Sequence, residues 1–518
     1  MQKKVVLVFP SYDPGNPYPD YYTEEMTNRI PMGLISMATY AKTHGYGVIF
    51  IDGRNYQKEE IRQRVWDAAK DALCVGFSVM TPQIRHAYFL TKVAKESNPK
   101  IPVVWGGIHP TLFPEQTCRD PHVDFVIQGE ADYAFTEFLD CLSEKRDHYS
   151  EIKNLVYKDG QNIYMNPIGS PIDMNNLPDP DYEILEMDKY IPHAFFNYDK
   201  KSFFRCFDIH TSRGCHYHCS FCATILPAFK CWRPLSPERV IGLIELGLKK
   251  YKADYLWFVD DYFFGKKTRA IEIFKEMKKR HINIPWETSA RVNIFGKYLD
   301  DESLRLMKDT GCHCLGIGIE SGSERVLQIL NKHITIPQIF HTMELCKKYN
   351  IIPKCFFMTA IPGETVKDAI ETIKLIFEIL KVNDRALVYT PGIFRPYPGT
   401  DIYQEAKRGG FKEPESLESW DNLKYGYDYY VDENDIPWAD DPTWYINMPF
   451  FLYNLLHYRR NLNNPNYSLL RKIAGRIAEF RLKHNFWYFS LETYATKIKK
   501  NLEKKPLLKK IVKRLTRW

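Results

Sequence analysis

Three cysteines and two histidines stand within eight positions of the stretch TSRGCHYHCSFC, residues 211–222. Cys215, Cys219 and Cys222 put three thiols into one loop at C-x3-C-x2-C spacing. Thiolates are the usual ligands of iron–sulfur clusters, commonly four to a cubane. A cubane with three protein ligands keeps one iron open, and an open position makes a metal site catalytic rather than structural. The competing chemistry is structural zinc, with His216 or His218 as fourth ligand. Zinc modules normally draw a second ligand pair from further along the chain. Cys206 and Cys231 are near enough to contribute, but neither has a partner cysteine at short spacing. Spacing favours iron–sulfur and leaves zinc open.

Such a loop needs a scaffold, and the sequence around it reads as strand–helix alternation. From 203 to about 395, β-strands are predicted at Phe204–Thr211, Tyr255–Val259, Trp286–Arg291, Leu315–Ile319, Lys354–Ala360 and Ala386–Phe394. Helices are predicted from Ser236, Lys267, Asp301, Gly322, Pro337 and Glu364, with Pro237 suited to a first helical turn. Six units are too few for a closed eight-fold barrel and suit an open, partial one. Chemistry in such barrels sits at the carboxyl ends of the strands, and the cysteine loop follows the first of them.

Residues 1–145 alternate in the same way. Val5–Phe9, Val48–Asp52, Leu73–Ser78, Val103–Gly106 and Phe125–Gln128 read as buried strands, with helices over 33–44, 59–72, 85–97 and 131–144 between them. Continuous apolar strands separated by helices imply a parallel sheet covered on both faces. Ligands bind beyond the carboxyl ends of such strands, where Pro10, Ser78, Gly106, Gly107, His109, Gly129 and Glu130 fall. Glycines there let a backbone approach a large or flat ligand closely. Residues 146–202, rich in Pro, Asp and Asn, read as a linker. Residues 396–518 read as an aromatic, helical region, either a cap over the barrel mouth or a region whose aromatics pack between helices.

Bulk composition sets limits. The 518 residues are 44% hydrophobic, 14% aromatic and 26% charged, as in a globular protein of two or three domains. No apolar run reaches the roughly 18 residues of a membrane span, and the opening MQKKVVLVFP is too short in apolar run for a signal peptide. Twelve cysteines without a secretory signal point to a reducing, cytoplasmic compartment. The net charge of +7 resides in the last fifteen residues, which hold seven Lys/Arg and no acid. The charge is therefore a tail rather than a nucleic-acid-binding face. In residues 504–518 apolar side chains recur at helical spacing, so this tail is a candidate for peripheral membrane contact, weighed against docking on its own protein.

With those residues in view, the cysteine motif resembles the radical S-adenosylmethionine (SAM) superfamily, through the TSRGC preface and the aromatic Phe221 before the last cysteine. The resemblance implies that Cys215, Cys219 and Cys222 ligate a [4Fe–4S] cluster whose free iron chelates SAM. One electron, from a flavodoxin- or ferredoxin-type donor, then splits SAM to a 5′-deoxyadenosyl radical. Further matches follow in the family's order: FVDDYF with Asp260 and Asp261, SARVN with Arg291, GIGIESGS with Glu320 and Ser321, and IPGET. Singly, each reads as a turn, an ordinary ion pair or helix punctuation. Together behind a cysteine triplet they imply SAM contacts at Phe221, Asp260, Asp261, Arg291, Glu320 and Ser321.

The N-terminal region, through GGIHPTLFPE (106–115) and VDFVIQGEADYAF (123–135), is similar to the cobalamin-binding domain of class B radical SAM enzymes. The D-x-H-x-x-G motif of classical cobalamin proteins is missing, and SYDPGNP after the first strand holds no histidine. His109 remains a candidate for a cobalt ligand, for a hydrogen bond to the corrin edge, or for a plain loop role. The expected architecture is α/β: a Rossmann-like (flavodoxin-like) parallel sheet, a partial (β/α)6 TIM-type radical SAM barrel and a helical C-terminal region. The resemblance implies methylation of an unactivated carbon of a small molecule such as a natural product, lipid or tetrapyrrole. Oxidation or cyclisation with the same cofactors is the alternative, and a non-catalytic zinc docking protein is the alternative of another class.

Overall fold

The structure is a computed structural model, and it describes residues 3–12, 29–197, 200–225, 230–422, 431–461 and 469–484. The basic tail lies outside these. Five parallel strands open the chain: β1 (Lys4–Phe9), β2 (Gly47–Asp52), β3 (Val75–Ser78), β4 (Val103–Gly106) and β5 (Phe125–Ile127). They lie in the order β2-β1-β3-β4-β5. Val5, Val6, Leu7 and Val8 are all fully buried, each worth roughly 1.5–3 kcal/mol of transfer free energy. Alternation decides which face each serves. Val6 and Val8 pack with Ile61, Val65 and Leu90 of the helices Lys58–Ala69 and Ile84–Ser97. Val5 and Leu7 pack with Leu34, Ala38, Phe135 and Phe138 of the helices Met32–Thr43 and Asp132–Glu144.

The sheet does not stop at residue 145. A hairpin of β6 (Leu155–Asp159) and β7 (Asn162–Met165) adds to β5 antiparallel, making seven strands. Its turn falls at Gly160, whose φ of +60 suits glycine. The Pro- and Asn-rich composition of 146–202 masked this short hairpin in the sequence.

The second sheet begins with β8 (Pro192–Asn197) antiparallel to β9 (Lys200–Ile209). A two-residue pair follows, β10 (Ser212–Arg213) with β11 (Arg233–Pro234), which brackets the cysteine loop. Then come β12 (Tyr255–Phe258), β13 (Trp286–Ala290), β14 (Cys312–Glu320), β15 (Ile352–Thr359) and β16 (Leu387–Val388). The parallel order is β9-β12-β13-β14-β15-β16, a six-stranded partial barrel. The single strand expected over 386–394 is broken: β16 ends at Val388 and β17 (Gly392–Ile393) resumes beside β15. Pro391 between them has no N–H for the ladder. On β12, Leu256 and Phe258 face the helices, while Tyr255 and Trp257 face the lumen with Cys206 and Cys314. The helix Pro237–Lys249 starts as expected, with Ser236 capping Arg239 N and Pro237 in the first turn.

The described helix Pro442–Arg460 of the C-terminal region lies on the flank of the barrel. Trp444, Tyr445, Met448 and Leu452 of the helix Pro442–Arg460 pack into the barrel's outer core with Ile373 and Ile376. Residues 414–420 instead cross to the first sheet. There Gln116 donates from Nε2 to Pro414 O at 2.9 Å and accepts from Trp420 Nε1 at 2.7 Å. Among the described residues these aromatics are buried against existing helices, the packing alternative to a cap.

Candidate functional site

The cysteine loop is held from three sides. At its base the Asp260 carboxylate accepts from Thr211 N (2.5 Å), Thr211 Oγ1 (2.5 Å) and Ser212 N (3.0 Å). Gly214 adopts φ +79, a conformation that favours glycine, and donates from N to Asp261 Oδ2 at 2.8 Å. From above, Ser220 donates from N to Leu330 O and from Oγ to Ile329 O, and Asn331 Nδ2 donates to His218 O. From the side, Arg291 donates from Nη1 to Cys219 Sγ at 3.1 Å and from Nη2 to Lys332 O. Its guanidinium also lies 3.8 Å from the centre of the Tyr217 ring.

Within this frame Cys215 and Cys219 are buried and Cys222 is half-buried, all three as free thiols. Burial pushes the Cys215 thiol up, and Cys222 and Cys219 are close enough to act on it electrostatically. Among the described residues no three His, Cys, Asp or Glu side chains converge as one metal ion requires. His216 and His218 are exposed; the His216 ring stands edge-on to Tyr262 at 5.1 Å.

The other residues singled out in the barrel divide into two groups. Glu320 sits at the end of β14 with φ +69, a strained conformation of the kind held at functional sites. It accepts at Oε1 from Lys332 Nζ at 2.7 Å, and that ammonium lies 5.5 Å from the Phe221 ring centre. Phe221, Glu320, Lys332, Arg291 and the thiols therefore form one neighbourhood. Asp260 and Ser321 do not open onto it. Asp260 is engaged by the backbone of 211–212, and burial pushes its carboxyl up to about 6. Ser321 is fully buried, sharing a hydrogen bond with Thr372 Oγ1 and accepting from Ser323 N. Strand-end motifs carry both site and scaffold residues, and the sequence offers no way to separate them.

Beside the loop lies a cavity of about 530 Å³ between the two sheets. One wall is the carboxyl edge of the first sheet: Ser78, Gly106, Gly107, Gly129 and Glu130. The other is the barrel: His210, Arg213, Gly214, Thr224 and Asp261. Gly107 has φ +96, and a Cβ there would come within 2.7 Å of Val79 N, so this edge stays bare. Pro10 and His109 do not line the cavity. Pro10 O accepts from Gln83 Nε2 at 2.5 Å. His109 is fully buried under Trp420, ring centres 5.0 Å apart, with Nδ1 against Thr81 Oγ1 at 3.2 Å. Burial lowers its pKa to about 3. Aromatic packing turns its ring into the domain core, away from this cavity, with Nε2 buried and unpartnered.

Glu130 lines the cavity but is engaged in an ion-pair network that sequence reasoning missed. Arg213 bonds Asp132 (2.8 Å), Glu130 (3.4 Å) and Ser36 Oγ (2.7 Å), while Arg233 bonds Glu130 at 2.6 Å. These arginines belong to β10 and β11, and the acids to the loop after β5 and the start of the helix Asp132–Glu144, so the network joins the two units across the cavity. Arg213 stood inside the TSRGC motif and Glu130 and Asp132 inside VDFVIQGEADYAF, but nothing in the sequence paired them, and Arg233 carried no signal. Arg233 Nη2 is buried without a partner, a donor facing the need for an acceptor.

A parallel-sheet unit docked on a partial barrel, with a cavity shared between them beside three free thiols, is the architecture of a protein that can bring a large bound group up to a thiol-rich loop. Residues 209–376 match the radical SAM superfamily model and residues 28–139 the B12-binding domain model. An uncharacterized methyltransferase of Pyrococcus horikoshii is 33% identical over 384 residues, 73% of this chain and 78% of that one. The anaerobic magnesium-protoporphyrin IX monomethyl ester cyclase of Rubrivivax gelatinosus is 27% identical over 413 residues, 78% and 70% of the two chains. The structure of the radical SAM methyltransferase TsrM from Kitasatospora setae, with cobalamin and a [4Fe–4S] cluster bound, superposes with a TM-score of 0.62. It covers 81% of both chains at 15% identity. The chain belongs to the cobalamin-dependent radical SAM enzymes. Its cofactors are SAM, a [4Fe–4S] cluster and cobalamin. The donor set fits them: three buried or half-buried thiols in one loop suit a cluster, and a bare glycine edge with an unpartnered buried Arg233 donor suits a large amide-bearing ligand.

Proposed function

We propose that this enzyme methylates an unactivated carbon of a small-molecule substrate bound between its two units. The observation that carries the reading is the shared cavity, with the glycine edge of the first sheet on one wall and the barrel loop bearing the cysteines on the other. When bound, the cofactors supply the 5′-deoxyadenosyl radical and the methyl group. Cys215, Cys219 and Cys222 are assigned to the cluster. Phe221, Asp261, Arg291 and Glu320 are assigned to SAM, with Lys332 orienting Glu320. Ser78, Gly106, Gly107 and Gly129 are assigned to the face of cobalamin. The ion pairs of Arg213 and Arg233 hold the two walls in register and keep water from the space between them.

A flavodoxin- or ferredoxin-type protein is assigned as electron donor, and residues 504–518, outside the described residues, as a peripheral membrane contact. Among the described residues no helix is long and apolar enough to cross a membrane. The test is anaerobic reconstitution with iron and sulfide, followed by turnover with methyl-labelled SAM on candidate substrates. Label in the product supports methyl transfer; an oxidised or cyclised product without label overturns it in favour of the cyclase outcome. Replacing any of Cys215, Cys219 and Cys222 by Ala removes bound iron and the visible cluster absorbance. A colourless, zinc-loaded wild-type protein refutes the whole assignment.

A further inference from the structure

The last described helix, Leu469–His484, buries one side only. Gly475, Ala478 and Arg481 face the helix Pro442–Arg460: a Cβ on Gly475 would fall 2.1 Å from Tyr458, and Arg481 lies 4.7 Å from the Phe451 ring centre. Leu469, Ile473, Ile477 and Phe480 point outward, at 72%, 46%, 39% and 57% exposure. At 3.6 residues per turn these four fall within an arc of about 80°. Lys472, Arg476 and Lys483 run along one flank of it. The one acid on the helix, Glu479, is paired with Arg459 at 3.2 Å.

A solvated helix has no reason to turn four large apolar side chains outward. Charge selects the partner. A second copy would bring two basic flanks to one apolar seam with no acid to neutralise them. The chain's own residues 504–518 carry seven basic side chains and no acid, and are repelled by the same flank; residues 485–503, with three basic side chains against two acids, have no excess of acid to offer it. An anionic surface with an apolar interior satisfies both halves of the face.

We propose that this face of Leu469–His484 docks the enzyme on an anionic lipid bilayer, with the apolar stripe in the headgroup boundary and the basic flank on the lipid phosphates. The proposal deepens the membrane contact assigned above to residues 504–518 but stands on different residues. The test is co-sedimentation of the full chain with phosphatidylcholine vesicles, with and without phosphatidylglycerol. Three variants accompany it: Ile473→Glu/Phe480→Glu, Lys472→Glu/Arg476→Glu/Lys483→Glu, and deletion of 504–518.

Wild type binds only the anionic vesicles, and less as salt rises. The apolar variant loses binding at least tenfold, since two buried side chains are replaced by charges. The basic variant loses about fivefold or more per residue. The tail deletion keeps measurable, salt-sensitive binding. The substituted side chains all lie on the outward face or its flank, and an unchanged thermal midpoint shows that the variants fold; if the double Glu variant does not, Phe480→Glu alone is read. Face variants that bind like wild type overturn the proposal, as does binding lost wholly on tail deletion. Light scattering that shows Ile473→Glu/Phe480→Glu splitting a dimer, with vesicle binding intact, assigns the face to a second copy instead. Binding to an acidic protein but to no vesicle also overturns it.

Discussion

Asp132 offers a measurement of how the two halves of this enzyme are joined. Its carboxylate, 4% exposed, accepts from Arg213 Nη1 at 2.8 Å, from Nη2 at 3.2 Å and from Ser36 Oγ at 2.5 Å. Asp132→Ala leaves the Arg213 guanidinium, itself 10% exposed, with Glu130 at 3.4 Å, and Glu130 is already shared with Arg233. Breaking a buried pair on one side costs about 3–5 kcal/mol, and the remaining Glu130 contact places this case at about 3 kcal/mol. Removing both partners, as Asp132→Leu/Arg213→Met, leaves no buried charge and costs less than the sum of the single changes. The coupling should be about 2 kcal/mol. Urea unfolding of the apo chain at neutral pH, followed by fluorescence and circular dichroism, measures all four corners of the cycle.

The pH dependence provides an independent arm. Burial works to raise the Asp132 pKa, but the Arg213 charge and the hydrogen bonds outweigh it and hold the carboxyl below the ordinary range. A folded-state value below the unfolded one contributes stability that is present above the unfolded pKa and lost as pH falls through the folded one. Wild type should therefore lose stability on acidification below about pH 4 more steeply than Asp132→Asn. A coupling under about 0.5 kcal/mol, together with superimposable acid limbs, would falsify the claim that this pair clamps the units.

Two further outcomes follow from local geometry. Gly107→Ala forces a Cβ to within 2.7 Å of Val79 N and 2.8 Å of Val79 O at φ +96. It should cost about 1–3 kcal/mol in thermal unfolding and reduce hydroxocobalamin retention on equilibrium dialysis; an unchanged midpoint contradicts the strain. Glu364 is buried with Oε1 unpartnered, and burial pushes its carboxyl from 4.5 to about 8, against hydrogen bonds from Ile361 N and Thr359 Oγ1. The folded state keeps a proton that the unfolded chain releases, so this site makes stability fall as pH rises from about 4.5 to about 8. Glu364→Gln should flatten that decline, and parallel stability–pH curves for the two proteins would count against it.

How much of this was legible in the sequence depends on how local the cause is. The five parallel strands were readable because Val5, Val6, Leu7 and Val8 must be buried on both sheet faces whatever surrounds them. The helix at Pro237 was readable because its cap and first turn use adjacent residues. The three thiols were readable because a cluster loop compresses its ligands into eight positions, and the glycine edge because 106, 107 and 129 follow apolar strands. Local signals failed where composition misled, as in the hairpin of β6 and β7, or where a proline divided one apolar run into β16 and β17.

Tertiary structure decided which polar residues are free to act. Asp260 and Asp261 are neighbours in the chain, yet one closes the backbone of 211–212 and the other lines the cavity. Glu320 and Ser321 divide in the same way, because the left-handed backbone at Glu320 ends the strand and sends Ser321 back into the core against Thr372. His109 was drawn under Trp420 by a contact between distant parts of the chain, and Arg213 met Asp132 across 81 positions. Contacts at that separation leave no periodicity to read. Motif spacing and strand patterning were enough to place the thiol loop and the elements that carry it, because both are local; the cofactors were named only through the family resemblance. Which side chains hold the two walls together, and which stay open to a ligand, was settled only when the chain folded.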